Sequence, residues 1–163
     1  LSLNTRNIEI LDQDDKYIRI KAAAGLVWDD FVDHCVEQGW GGLENLSLIP
    51  GKVGACPIQN IGAYGVELKE YFESLQAFSL ETGKVQTYYK DDCSFGYRDS
   101  IFKRSKKGQY LILAVTFKLL KKPDFHLSYS GLQEELERLL TRRLFKTLNF
   151  DSVPGEPLVV ESS

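Results

Sequence analysis

Apolar and polar residues alternate along five stretches of this chain and recur at helical spacing along two. Ile8 to Ile10 and Tyr17 to Ala22 read as short strands on either side of the polar turn Asp12-Gln13-Asp14-Asp15, the pattern of a β-hairpin. Ser74 to Leu80 and Lys84 to Tyr89 flank Thr82-Gly83 in the same way and predict a second hairpin. Gln109 to Leu119 predicts a long strand. A period of two puts Leu111, Leu113, Val115, Phe117 and Leu119 on one face and Ile112, Ala114, Thr116 and Lys118 on the other, with the polar end meeting solvent.

From Val27 the spacing changes. Val27, Trp28, Phe31, Val32, Cys35 and Val36 fall on one side of a helix, Asp29 and Asp30 suit the positive end of its dipole, and Gly39 stands where a C-terminal cap belongs. A second helical pattern follows Lys121-Lys122-Pro123 and a short His126 to Tyr129 strand. Ser130 and Gln133 have capping-box spacing, and Leu132, Leu136, Leu139 and Leu140 form the apolar stripe. Short connections between alternating segments favour antiparallel pairing over parallel crossovers, so the fold class expected is α+β, an antiparallel sheet with flanking helices. A domain junction is expected near Pro123, and the tail from Asn149, with Pro154, Gly155 and Pro157, shows no periodicity.

The stretch from Gly41 to Gly65 fits neither period. It is rich in glycine, broken by Pro50 and Pro57, and reads as an ordered functional loop. Glycines allow positive φ and close backbone approach, so amides here could converge on a pyrophosphate. Glycine content alone is equally met by a loop that only turns the chain.

Composition narrows the partners. At 163 residues with 43% hydrophobic content the chain can bury one core, and two independent domains are not expected. A net charge of −3, with both signs interspersed, offers no broad basic surface, so nucleic acid is not an expected partner. The apolar runs are strand-length and predict no membrane span. Cys35, Cys56 and Cys93 contain no CxxC pair, and His34 and His126 are the only histidines. No metal site is expected, and free thiols fit a reducing cytosol. The chain enters strand-like sequence directly at Leu1, which suggests excision from something longer.

Two strings carry chemistry. Ile49-Pro50-Gly51 leads into Pro57-Ile58-Gln59-Asn60-Ile61-Gly62-Ala63-Tyr64-Gly65, and Phe95-Gly96-Tyr97-Arg98-Asp99-Ser100-Ile101-Phe102-Lys103 follows. In order and spacing they resemble the IPG…PIQNIGAYG and FGYRDSxFK motifs of the UDP-N-acetylenolpyruvoylglucosamine reductase family, over roughly Ile8 to Leu120 and more weakly to Tyr129. The resemblance implies the second subdomain of an FAD-binding fold of the vanillyl-alcohol-oxidase type over residues 1–122. It also implies the start of a substrate-binding third domain over 123–148 and an unmatched tail over 149–163. It implies non-covalent FAD against Gly54, Ala55, Ile58, Ile61, Gly62 and, on the long strand, Ile112. Arg98 would meet the enolpyruvyl carboxylate as the catalytic cation, and Tyr129 would approach the same substrate. NADPH would be the hydride donor, UDP-N-acetylglucosamine enolpyruvate the substrate, and UDP-N-acetylmuramate for peptidoglycan the product, in a bacterial cytoplasm.

Plainer roles stand beside these. Ile58, Ile61 and Ile112 could be ordinary core, Arg98 could pair with Asp99 or another acid, Tyr97 and Asp99 could orient the arginine or order the loop, and Tyr129 could be a strand aromatic. Cys56 is expected to be a small loop residue and His34 a solvated one. The chain also departs from the family: nothing before Leu1 supplies a second glycine-rich phosphate loop. After Leu140 it does not continue toward the GNAGSFFKNP-like motif that carries the family's proton-donating serine. By itself it is expected to be inactive, a partner for the missing regions of the same enzyme. The competing functions are a non-catalytic flavin-binding fragment and another oxidoreductase of the same superfamily.

Overall fold

The computed structural model describes residues 7–123, which belong to one compact unit. The period-two segments become strands β1 (Ile8–Gln13), β2 (Tyr17–Ala23), β5 (Phe72–Ser79), β6 (Val85–Tyr89) and β7 (Tyr110–Leu120), all antiparallel in one sheet of order β1-β2-β7-β5-β6. Two short strands, β3 (Gly62–Ala63) and β4 (Val66–Glu67), pair by themselves within the glycine loop. The helix α1 spans Trp28–Glu37. The α+β antiparallel expectation holds. Tyr129, the helix opened by Ser130 and the tail from Asn149 lie outside the described residues.

Both hairpins form where their turn residues predict. In the first, strand pairing runs on to Gln13, and the turn tightens around Asp14, whose Oδ1 accepts the amide N–H groups of Lys16 (2.8 Å) and Tyr17 (2.6 Å). In the second, Ser79 Oγ accepts the Thr82 amide at 3.2 Å.

Helix α1 ends as its sequence demands. Gly39 takes φ of +75°, its N–H donates to Val36 O, and the Trp40 N–H donates to Cys35 O, the paired bonds of a Schellman cap. Trp28, Phe31, Val32 and Cys35 are buried, whereas Val27 and Val36, at the margins of the predicted stripe, are exposed. The buried face packs on the middle of the sheet: the Phe117 ring lies 5.1 Å from Phe31 and 6.0 Å from Trp28. Trp28 Nε1 donates to Leu46 O at 2.7 Å, so the buried indole has its partner and ties the start of the loop to the core.

The long strand does not keep the two faces its alternation predicts. Opposite β5 the partner of Gln76 is Ala114 and that of Ala77 is Ile112, so Leu113 is an extra residue in a bulge. The bulge turns Ile112 into the core cluster with Val115, Phe117 and Leu119, while Leu111 and Leu113 are only half-buried. Lys118 is exposed as expected and its Nζ stands 4.2 Å above the Tyr17 ring.

Candidate functional site

The glycine loop reaches its place by docking backbone on backbone. A 3-10 turn at Val53–Ala55 lies against the β2–α1 junction, with the Val53 N–H donating to Leu26 O and the Gly54 N–H to Ala24 O, both at 3.0 Å. A Cβ at Gly54 would lie 2.6 Å from the Ala24 Cβ, so the absence of a side chain is what lets the two segments touch. The loop then passes through Asn60 and turns at Tyr64-Gly65 to join β3 to β4.

A second loop, from Cys93 to Lys103, is fastened to the first by three side chains. Asn60, fully buried, donates Nδ2–H to Gly96 O (2.9 Å) and accepts the Lys69 amide on Oδ1 (3.0 Å). Ser100, also fully buried, donates to Ile58 O (2.7 Å) and accepts the Phe102 amide (3.2 Å). Arg98 donates from Nη2 to Gly62 O. The IQNIGAYG and FGYRDS strings, 36 to 42 positions apart at these bonds, thus fold as one hydrogen-bonded body.

Arg98 itself has φ of +51°, an uncommon backbone state for a residue with a side chain. Its carbonyl accepts Lys103 Nζ–H at 2.8 Å. The guanidinium carbon sits 5.1 Å from the centre of the exposed Tyr97 ring. The acid it faces is Glu67, Nη1 to Oε1 3.8 Å, and not Asp99, which pairs with Arg104 Nε at 2.7 Å. About a third of the Arg98 side chain (37%) remains exposed, enough to meet a ligand.

The residues expected at a cofactor separate into two groups. Ala55 and Ile58 are exposed, and Gly54 and Gly62 are half-buried, whereas Ile61 and Ile112 are 5% and 6% exposed and lie in the core cluster. The pyrophosphate cradle needs free amides, but those of Gly54, Ala55, Ile58 and Ile61 already donate to Ala24, Lys52, Ala55 and Cys56 carbonyls. At Gly62 the constraint is space. A Cβ there would lie 2.4 Å from Arg98 Nη1 and 2.9 Å from Val66 O, so this glycine makes the slot in which the guanidinium lies. Asn60, Ser100 and Glu67 were not singled out by the sequence. For Asn60 the signal available was an amide side chain set among Ile58, Ile61 and Gly62; Ser100 follows the charged Arg98-Asp99 pair and had no such signal.

The thiols are not poised for chemistry. Burial pushes Cys35 up to about 12 and raises Cys56 as well, while burial and then the nearby Asp92 charge bring Cys93 to about 12. Cys56 Sγ donates to Lys52 O at 3.3 Å, in keeping with a small loop residue. His34 is half-buried with its ring 5.8 Å from Trp40, rather than simply solvated. A cleft of about 510 Å³ at the outer end of β7, lined by Tyr17, Tyr71, Phe72, Glu73, Lys90 and Lys118 among others, includes none of the residues expected to touch cofactor or substrate. Among the described residues, no helix is long and apolar enough to cross a membrane.

A family model described as "FAD binding domain" matches residues 1–88. The chain is 50% identical to the UDP-N-acetylenolpyruvoylglucosamine reductase of Amoebophilus asiaticus over 144 residues, which is 88% of this chain and 42% of that protein. It is 49% identical to the Bdellovibrio bacteriovorus protein of the same name, over 85% of this chain and 41% of the relative. Among solved structures it is similar to UDP-N-acetylenolpyruvylglucosamine reductase (MurB) from Thermus caldophilus, with TM-score 0.56 and 26% identity, covering 77% of this chain and 42% of that one. The chain spans about two fifths of the length of these curated relatives.

Proposed function

The chain belongs to the FAD-binding domain family, and on that footing we propose that it is the part of an NADPH-dependent UDP-N-acetylenolpyruvoylglucosamine reductase that forms one wall of the flavin site and carries the arginine for the substrate carboxylate. The observation that carries this is the fastening of the Arg98 loop to the glycine loop. A cation that must act beside a flavin is held by the same backbone that would line the flavin. The match to about two fifths of the length of relatives of that name supports the same reading.

The outer surface of the glycine loop fits a flat, largely apolar ring system. Leu48, Ile58 and Tyr64 are 83%, 37% and 51% exposed on a loop that buries Val53, Ile61 and Val66 inward. Such exposed apolar side chains on an ordered loop are what a ligand or a neighbouring domain covers. Because the four amides named above are committed, Gly54, Ala55 and Ile58 would meet FAD through apolar contact, Ile61 would support them from the core side of the loop, and the pyrophosphate would take its donors from elsewhere. Gly62 would then act on the cofactor through the placement of Arg98, and Ile112 by backing the loop from the core. When bound, FAD supplies the acceptance of hydride from NADPH and its delivery to the enol ether.

The exposed part of the Arg98 guanidinium can hold a carboxylate bidentately, stabilising the negative charge that hydride addition builds toward that group. Ser100 is not the proton donor, since its hydroxyl is buried and committed to Ile58 O. Substrate contact by Tyr129, a bacterial cytoplasmic location and assembly with the remaining regions of the enzyme belong to the same proposal.

The test is to complete the chain with the flanking regions of the Amoebophilus asiaticus relative and compare Arg98→Ala with the unsubstituted form. FAD retention and NADPH oxidation by the flavin should change little, while reduction of the enolpyruvyl substrate slows by about 10²-fold or more, the effect of losing one charge-stabilising donor. Arg98→Lys should recover part of the loss, because it restores charge without the planar fork. Normal turnover by Arg98→Ala would return Arg98 to a structural role.

A further inference from the structure

We propose that Glu67 is a positioning residue for Arg98 that both orients the guanidinium and offsets its charge, so that an incoming carboxylate is held more weakly in the ground state but in a fixed geometry. This rests on the reading of Arg98 as the carboxylate-binding cation.

The hairpin of β3 and β4 makes the arrangement. Gly62 and Glu67 are direct partners across this two-stranded ladder, so one residue presents a carbonyl and the other a carboxylate to the same side chain. Arg98 Nη2 donates to the Gly62 carbonyl, and Nη1 lies 3.8 Å from Glu67 Oε1. No Cβ at position 62 stands between them. Glu67 is itself fixed. Its Oε2 lies 2.5 Å from Lys69 Nζ, its own amide donates to Glu70 Oε1 at 2.7 Å, and its carboxylate caps the 3-10 turn Leu68–Glu70. Its Oε1, by contrast, is buried and has no hydrogen-bond partner. A buried carboxylate oxygen without a donor is unfavourable, and the cation that pairs with this oxygen is Arg98 Nη1 at 3.8 Å, Lys69 being paired with the other. One edge of the guanidinium is therefore engaged by the hairpin, and an anion must use what remains.

Two consequences distinguish this from a merely structural ion pair. Glu67 places a negative charge close to where the substrate carboxylate would bind, so removing that charge should tighten carboxylate binding. Removing the orientation should at the same time loosen the guanidinium and lower turnover. A residue that only supported the fold would weaken both.

The experiment uses the 163-residue chain with nitrogen-15 labelled arginine. Rotation of the Arg98 guanidinium about its Cζ–N bonds is followed by NMR, with and without 2-methoxyacrylate, a small enol-ether carboxylate. In Glu67→Gln the rotation should quicken and the apparent affinity for the carboxylate should rise by about threefold or more, as expected for losing one nearby like charge at partly exposed sites. Glu67→Asp, which keeps the charge and shortens the reach, should quicken rotation without that gain in affinity. In the completed enzyme Glu67→Gln should lower the KM for the nucleotide sugar and lower kcat together. Unchanged or weaker carboxylate binding in Glu67→Gln overturns the inference while leaving Arg98 in place. An Arg98 signal that responds to the carboxylate in neither form removes the Arg98 reading and the inference with it.

Discussion

In the middle of the sheet Phe117 meets Trp28 and Phe31 ring against ring, and all three are fully buried. Where the two loops meet, Asn60, Ser100 and Arg98 each reach a single backbone carbonyl, of Gly96, Ile58 and Gly62. The first region is held by apolar area, which many side chains of similar size could supply. The second is held by donors of set length and direction, and each leaves a polar atom stranded when removed. A catalytic cation needs the second kind of support, because area can place a segment but cannot orient a guanidinium.

The largest effect is expected in the sheet. Phe117→Ala removes a β7 ring packed against Trp28 and Phe31 of α1, and such core truncations cost about 3–5 kcal/mol. Against a typical domain stability of about 5–15 kcal/mol, that is enough to shift the urea midpoint far down or to unfold the chain at room temperature. The loops should unfold with it. If amide exchange showed Lys69 still protected in Phe117→Ala, the loop pair would be an independent folding unit and the comparison would have to be reversed.

Asn60→Ala should do less to stability and more to the site. It strands the Lys69 amide, at about 1–3 kcal/mol for a buried group left unpaired, and leaves Gly96 O with only the Asp99 N–H at 3.3 Å. It also places an alanine at φ of +41°, where asparagine is better tolerated. Far-UV circular dichroism should be nearly unchanged while hydrogen exchange at the Lys69 amide speeds up sharply. In the completed enzyme, flavin retention and substrate reduction should both fall. Full protection at Lys69 would mean that water replaces the side chain and that the two loops are held by other bonds.

The same contrast explains what could be read from the sequence. The hairpins and α1 were legible because a period of two or of 3.6 is written in residue type alone, and Gly39 marked the helix end through a conformation that other residues adopt poorly. Ile112 was assigned to the wrong face because a bulge at Leu113 shifts the register and leaves no trace in the alternation. In the loops, the strings carry the resemblance to the reductase relatives, yet the working partners of Asn60, Ser100 and Arg98 are carbonyls, which every residue carries and no sequence distinguishes. Gly62 shows the limit best. Its need for a missing side chain was legible, but the group that fills the space is the arginine of the second string.

The β1–β2 turn joins the two kinds of support at an exposed place and should show the smallest effect. Asp14 Oδ1 accepts the Tyr17 and Lys16 amides, and these bonds, Tyr17 first, lower its pKa from the usual 3.8. A carboxylate whose folded pKa lies below its unfolded value adds stability above the unfolded value, near pH 4, and that contribution disappears as the pH falls through the folded value. Asp14→Asn can still accept both amides but has no charge to lose. The difference in urea midpoint between the two forms should therefore be small and constant at neutral pH and should narrow or change sign on acidification through this window. Because the group is solvent-exposed, the hairpin gains little from it. Exchange of the Lys16 and Tyr17 amides should respond before global stability does. A large loss of stability in Asp14→Asn at pH 7 would show that directed carboxylate bonds matter as much at the exposed end of the sheet as at the buried junction of the loops, and that burial does not set their worth.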